Sequence, residues 1–352
     1  VRFAAAQEDG FSNAVERALS HIVTLLSTPS PTGYTEQAVQ VCYRVVADLG
    51  MPVARTKRGG LVLSLPGARN GSRVLAAHVD TLGAVVKELL PSGRLRLSRV
   101  GGFSPSSIEG EYCKVHTFDG ASYTGTIAAH KASVHVYKET GERTEEMLEI
   151  RLDEVVHSAQ DVRKLGIRVG DPISFDARAV LTPVGYLKSR HLDDKASVGI
   201  LLSLLHEIAQ GDLTLAHGLT VLISVDEEIG YGGNSHIPVD AFEYVAVDMG
   251  AIGDGLETTE HVVSICAKDS SGPYDHSLRK KLVHLCERHG VPHAIDVYPH
   301  YASDASAARA AGYDVATALV GPGIDSSHAY ERTHRDAIAA TLRLLALYLQ
   351  TD

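Results

Sequence analysis

The sequence predicts an α/β protein carrying a β-rich insertion, and three observations lead there. Apolar strand-like runs alternate with amphipathic helical runs at both ends of the chain. Between about Val86 and Pro183 the texture changes to short β-type runs broken by Gly, Ser and Asp turns. The chemically capable side chains fall at or just beyond the C-terminal ends of predicted strands, where open α/β sheets bind ligands.

Taken in order, Ala14, Ala18, Ile22 and Leu25 recur at helical spacing, and a second helix over Glu36 to Asp48 ends at Gly50, a C-cap residue. The run Arg73 to Asp80 is apolar enough for a strand buried on both faces, with polar residues at its end. Inside the insertion, Arg94 to Val100, Tyr112 to Phe118 and Tyr123 to Ala128 read as strands. The α/β pattern then resumes with a helix over Ala196 to Ile208 ending near Gly211, and strands Leu219 to Val225 and Tyr244 to Met249. Val262 to Ala267, Leu278 to Arg288, Ala305 to Ala311, Val315 to Val320 and Ala337 to Leu349 continue it, so one sheet interrupted by the insertion is expected. The corresponding division is residues 1–85 with 184–352, and an inserted module over 86–183.

Composition sets bounds on function. With 352 residues, 44% hydrophobic and 22% charged, the chain can bury a full core and is neither disordered nor fibrous. A net charge of −10 without a long Lys/Arg run disfavours a nucleic-acid partner. Four dispersed cysteines (Cys42, Cys113, Cys266, Cys286) disfavour a thiolate zinc knuckle or a disulfide scaffold and suit a reducing cytoplasm. No apolar run reaches the ~20 residues of a membrane span, and the acidic start from Val1 to Glu8 does not read as a secretory leader. The 18 histidines stand out, because His is the commonest metal ligand.

Each motif has an ordinary reading beside its chemical one. In His78-Val79-Asp80 alternate residues share a strand face, so the imidazole can bind metal while the carboxylate orients it; ordinarily this is a His satisfied by a neighbouring Asp. Asp193 and Asp194 open an apolar helix, where one Asp suffices as a cap and the second is free to bridge two cations. Asp226-Glu227-Glu228 crowds three carboxylates at a strand end, which is costly without a cation or a proton unless the loop is simply solvated. One Glu can ligate metal while the other acts as general base. Asp248 ends another strand, and His328 follows a further one in a loop. Together these make a pool large enough for two metals with open positions.

The ordered set H-x-D, L-D-D-K, E-E-I-G, V-D-M-G and S-S-H resembles the tetrahedral (TET-type) aminopeptidase family, which includes glutamyl aminopeptidases and belongs with the co-catalytic zinc peptidases. Gly125-Thr126-Ile127 leading to His135, and Leu165 to Asp171, are similar to segments of that family's β-barrel dimerisation domain. The resemblance implies a three-layer α/β/α sandwich with an inserted small β-barrel. It implies that His78, Asp193 and Asp248 hold one divalent ion and that Asp193, Glu228 and His328 hold the other, with Asp193 bridging. Zinc is the first expectation, cobalt or manganese the alternatives. Glu227 matches the general base and Asp80 the catalytic Asp that orients His78. Short peptides are the implied substrates, and a homo-oligomer between a dimer and a tetrahedral dodecamer the implied assembly. The sequence departs from the family after H-x-D (Thr81 to Ala84), after E-E-I-G (Tyr231 to Gly233) and after the last His (Ala329 to Glu331). Ser303-Asp304-Ala305 resembles a T-D-A segment but also reads as a helix N-cap, and Tyr231, His300 and Tyr301 are pocket candidates. Rival readings are a deacylase or carboxypeptidase acting on N-acyl amino acids with the same metal pair, and a non-catalytic metal-binding scaffold.

Overall fold

The computed structural model describes residues 5–138 and 141–352, with side chains described from residue 11 onward. The first four residues, on which the leader reading partly rests, lie outside the described residues. A ten-stranded mixed sheet has at its centre the parallel strands His217–Ser224, Arg69–His78, Ala241–Val247 and Ala316–Ile324, in that spatial order. Leu61–Leu65 and Val53–Arg55 extend one side antiparallel, and Val263–Asp269 extends the other.

Alternation along the central strands divides the interior. Leu75 and Ala77 face a core shared with the helices Ala5–Leu26, Glu36–Asp48, Leu192–Gln210, His276–His289 and Arg335–Gln350. Val74 and Ala76 face the opposite core, closed by the short helix Asp304–Ala310 with Tyr244, Tyr274 and Tyr298. The sandwich is therefore thick on one side and thin on the other.

The insertion folds into a closed barrel in the order Gly83–Leu89, Leu95–Val100, Leu148–Leu152, Ser122–Ala129, Tyr112–His116, Pro172–Phe175. Closure leaves no unpaired sheet edge, and the barrel has a separate core that includes Val86, Leu97, Val115, Ile127 and Ile150. After it, Tyr186–Ser189 pairs with Glu331–His334 and Val180–Leu181 in a three-stranded sheet. Among the described residues, no helix is long and apolar enough to cross a membrane.

Register brings the site together. The parallel ladder aligns Ser224 with His78, and Ala246 with Ala76, so the residues following these strands emerge side by side at one edge. The helix Leu192–Gln210 packs beneath them against the first helix. Gly199 makes that contact close: a Cβ there would lie 2.4 Å from Ile22 Cγ1 and 3.1 Å from Ala18 O. Helix propensity favours Ala by about 1 kcal/mol, whereas overpacking costs about 1–3 kcal/mol. Because backbone atoms are among the contacts, Gly199→Ala is expected to lose about 1–2 kcal/mol net. A denaturation midpoint at or above that of the wild type would contradict this.

Candidate metal centre

His78 is fixed by its own strand end. Its ring Nδ1 lies 3.0 Å from the backbone carbonyl of Asp80, with the Asp80 carboxylate further off at 3.5 Å. A carbonyl only accepts, so Nδ1 carries the proton and Nε2 presents a lone pair. That lone pair faces acceptors: Asp193 Oδ1 at 3.2 Å and Glu227 Oε2 at 3.6 Å.

His328 repeats the pattern from the other direction. Its Nδ1 donates to the carbonyl of Gly102, and its Nε2 faces Asp193 Oδ2 at 3.3 Å and Glu228 Oε2 at 3.6 Å. Asp193 thus holds one oxygen toward each histidine. Lone pairs aimed at carboxylates at these distances need a positive charge between them, supplied by a proton or by a cation.

The acids show the same need. His78, Asp193 and Glu228 present ligand atoms within 4.8 Å of one another, as do His78, Asp194 and Asp248. Glu228 Oε1 and Asp194 Oδ1 are buried without a hydrogen-bond partner. These unsatisfied oxygens, with imidazole and carboxylate donors only, fit divalent borderline cations.

Burial, and then the charge of Asp193, pushes Glu228 up to about 8 and Asp248 up to about 7. Burial, with Asp248 adding to it, pushes Asp194 well above the usual carboxylate range, and burial raises Glu227 strongly too. Asp193 is the exception: burial would raise it, but the hydrogen bonds with His328 and His78 hold it well below that range. Burial pulls the histidines down, yet contact with Asp193 outweighs it, taking His328 up to about 11 and raising His78 strongly.

Supporting contacts hold these groups in place. The Asp80 carboxylate accepts the backbone N–H groups of Glu227 and Glu228, both at 3.3 Å, and the Thr32 hydroxyl at 2.7 Å. Its main hold is therefore on the glutamate turn, while its carbonyl orients His78. Both Asp193 and Asp194 have non-helical backbones at a kink before the regular helix, and rather than capping it Asp194 Oδ2 accepts the N–H of His78 at 3.2 Å.

Sequence reasoning missed Asp194 as a member of the cluster, and it missed Glu331. The Glu331 carboxylate accepts the N–H of Asp193 and that of His328, each at 3.1 Å. Asp304 does not cap its helix, where Ser303 and Ser306 form a capping box; it accepts from Gly233 N–H and from Ser224 Oγ at 2.8 Å instead. Tyr301 is half-buried near Asp248 and donates to Met249 O, while Tyr231 is exposed against Arg58. His300 is exposed.

Comparison with known proteins decides the class. The family model for M42 glutamyl aminopeptidases matches residues 59–344. The chain belongs to the M42 glutamyl aminopeptidase family. It is 52% identical over 341 residues to YhfE of Bacillus subtilis (strain 168), which carries a provisional aminopeptidase name, covering 96% of this chain and 99% of the other. An aminopeptidase from the archaeon Desulfurococcus kamchatkensis superposes with a TM-score of 0.85 at 22% identity, covering 96% of both chains. The Pyrococcus horikoshii TET1 peptidase, described as able to assemble into a tetrahedron or a large octahedral shell, gives 0.83 at 21% identity over 94% of this chain and 99% of that one. The M42 chain described here is accordingly a peptidase, a hydrolase of the aminopeptidase class, with the sandwich-and-barrel fold of those structures.

The raised acids give a pH prediction for metal-free protein. Glu228, Asp248 and Glu331, the last also pushed to about 8, keep their protons in the fold where an unfolded chain, at about 4, has lost them. Their stabilising contribution is full below that unfolded value and is lost as pH rises through about 7–8. Asp193 acts oppositely, but only in acid. In chelator, the melting temperature should fall from about pH 5.5 to about pH 8.5, and the increment that added zinc restores should grow over that range. An increment that is flat or shrinks would contradict the assignment.

Proposed function

We propose that this chain is a dinuclear metal-dependent aminopeptidase that removes N-terminal residues from short peptides, with Glu227 as general base. The observation that carries the reading is Asp193, whose two oxygens face Nε2 of His78 and Nε2 of His328 at 3.2 and 3.3 Å. His78, Asp193 and Asp248 would hold one cation, and Asp193, Glu228 and His328 would hold the other. The partnerless oxygen of Asp194 adds a donor candidate beside His78 and Asp248. The mixed N/O donor set suits zinc, with cobalt or manganese as alternatives.

When bound, the cations supply Lewis acidity, polarising a scissile carbonyl and making water acidic near neutral pH. Glu227 lies next to this position without being required as a ligand. Its carboxylate accepts the proton of the attacking water and passes it to the departing amine, so the base is regenerated in each turnover. Burial raises it toward the pH at which such a base works best. Asp80 keeps Glu227 and Glu228 in register through their backbone N–H groups. The free α-amine of the substrate is a cation, matched by the acidic wall around the site.

We assign catalysis to residues 1–85 and 184–352 and a dimerisation role to the inserted module, 86–183. The inserted barrel and the fold shared with the TET1 peptidase support a homo-oligomer, from a dimer up to a tetrahedral dodecamer. Four buried free cysteines support a reducing, cytoplasmic setting.

Glu227→Gln is expected to keep its fold and bound metal while turnover of an aminoacyl substrate falls by about 10²- to 10⁴-fold. Full activity in that variant would remove Glu227 from the base role. Blocking the substrate amine by N-acetylation should abolish cleavage by the wild type. Preferential hydrolysis of the acetylated peptide would instead favour a deacylase.

A further inference from the structure

A second group of potential ligands lies outside this centre, where the loop before Val263–Asp269, the strand Glu331–His334 and the helix Arg335–Gln350 meet. His261, His334 and Asp336 present ligand atoms within 4.8 Å of one another. Asp336 Oδ2 lies 3.0 Å from His261 Nδ1 and 3.0 Å from His334 Nδ1.

The hydrogen bonding of His334 makes this more than a surface pair. Its Nε2 lies 2.8 Å from the carbonyl of Val184 and must donate to it, so Nδ1 bears the lone pair. The backbone N–H of Asp336 donates to the same Nδ1 at 3.2 Å, in agreement. Yet the ionised carboxylate of Asp336, an acceptor only, stands 3.0 Å from that lone pair. His261 satisfies itself by donating from Nδ1 to the carboxylate, with Tyr186 OH 3.3 Å from its Nε2. His334 Nδ1 has only the long N–H bond that caps the last helix, and the Asp336 carboxylate stands closer to it than that N–H does. A cation that displaces the capping N–H from Nδ1 would be held by both groups.

We propose that His261, His334 and Asp336 form a further transition-metal site, independent of the peptidase centre, for a divalent ion such as Zn²⁺ or Ni²⁺. Two imidazole nitrogens and one carboxylate oxygen are the donor set such ions prefer, with remaining positions left to water. Both rings already have their second nitrogens engaged by Val184 O and Tyr186 OH, as in metal sites where an outer partner fixes the tautomer. On binding, the His261 Nδ1 proton leaves, and the ring, protonated on Nε2, donates to Tyr186 OH. The side chains of His261 and Asp336 are 44% and 56% exposed, so an ion can enter from solution. The bound ion ties the start of the last helix to the loop before Val263–Asp269, a structural rather than catalytic role.

The test is a Zn²⁺ titration of full-length, metal-stripped protein against a competing chelator. Wild type is expected to hold one equivalent per chain more than His261→Ala or Asp336→Asn, while zinc-loaded His261→Ala keeps wild-type peptidase activity. In an Asp193→Asn/His328→Gln background, which disables the peptidase centre, that equivalent persists and disappears when His261→Ala is added. Equal stoichiometry with and without His261 in both backgrounds would overturn the proposal and leave His334 Nδ1 as the cap of the last helix alone.

Discussion

The structure depends on one electrostatic constraint: two imidazoles, each tied through one nitrogen to a backbone carbonyl, turn their other nitrogens onto the same carboxylate. Asp193 stands between His78 and His328, and Glu227 and Glu228 flank them. Such an array is unfavourable unless positive charge enters it, so the surrounding protein has to hold it together. It does so mainly with backbone N–H groups. Asp80 gathers the N–H groups of Glu227 and Glu228, Glu331 gathers those of Asp193 and His328, and Asp194 takes that of His78. Each of these carboxylates fixes the chain that carries a side chain of the cluster without occupying the atoms that the histidines, Asp193 and the glutamates turn toward one another.

The inserted barrel takes part in this arrangement although it has its own core. Gly102, beyond its second strand, supplies the carbonyl that fixes the tautomer of His328. Arg190, nearly fully buried, donates to Ser107 O of the insertion and to Ala329 O beside His328. Gly101 permits the close approach: its φ of +86° suits glycine, and a Cβ there would sit 2.4 Å from Leu82 Cδ2. The insertion thus reaches the cluster through His328, which ties the barrel to the histidines and carboxylates by a chain of hydrogen bonds rather than by proximity alone.

Much of this was legible in the sequence because strand ends leave a clear signature. Apolar runs stopping at His78, at Asp226 and at Asp248 marked the edge of a buried parallel sheet, and the parallel register brings those ends together. What was not legible depends on where a short acidic side chain turns. Asp194 precedes an apolar helix as a cap would, but the backbone at Asp193 and Asp194 is not helical and its carboxylate points back to His78. Asp304 likewise sits in a first helical turn, yet it is spent on Gly233 and Ser224, bracing the loop that follows Glu227. A Cβ at Gly232 or Gly233 would collide with Asp304 or with Tyr244, which explains the glycine pair only once the fold is known. Glu331 carried no local signal, since its partners are backbone groups remote in sequence.

The division of labour between adjacent glutamates follows from the same geometry. Glu227 and Glu228 share one turn of 3₁₀-helix, Glu227–Ile229, where successive side chains diverge by about a third of a circle. With both N–H groups held on Asp80, one carboxylate is delivered to His78 and the other to His328. Glu228 keeps a buried oxygen with no hydrogen-bond partner, whereas the Glu227 side chain retains 14% exposure, enough for contact with water. Two chemically equivalent side chains one residue apart are therefore made inequivalent by which histidine each one meets and by how much solvent each one sees.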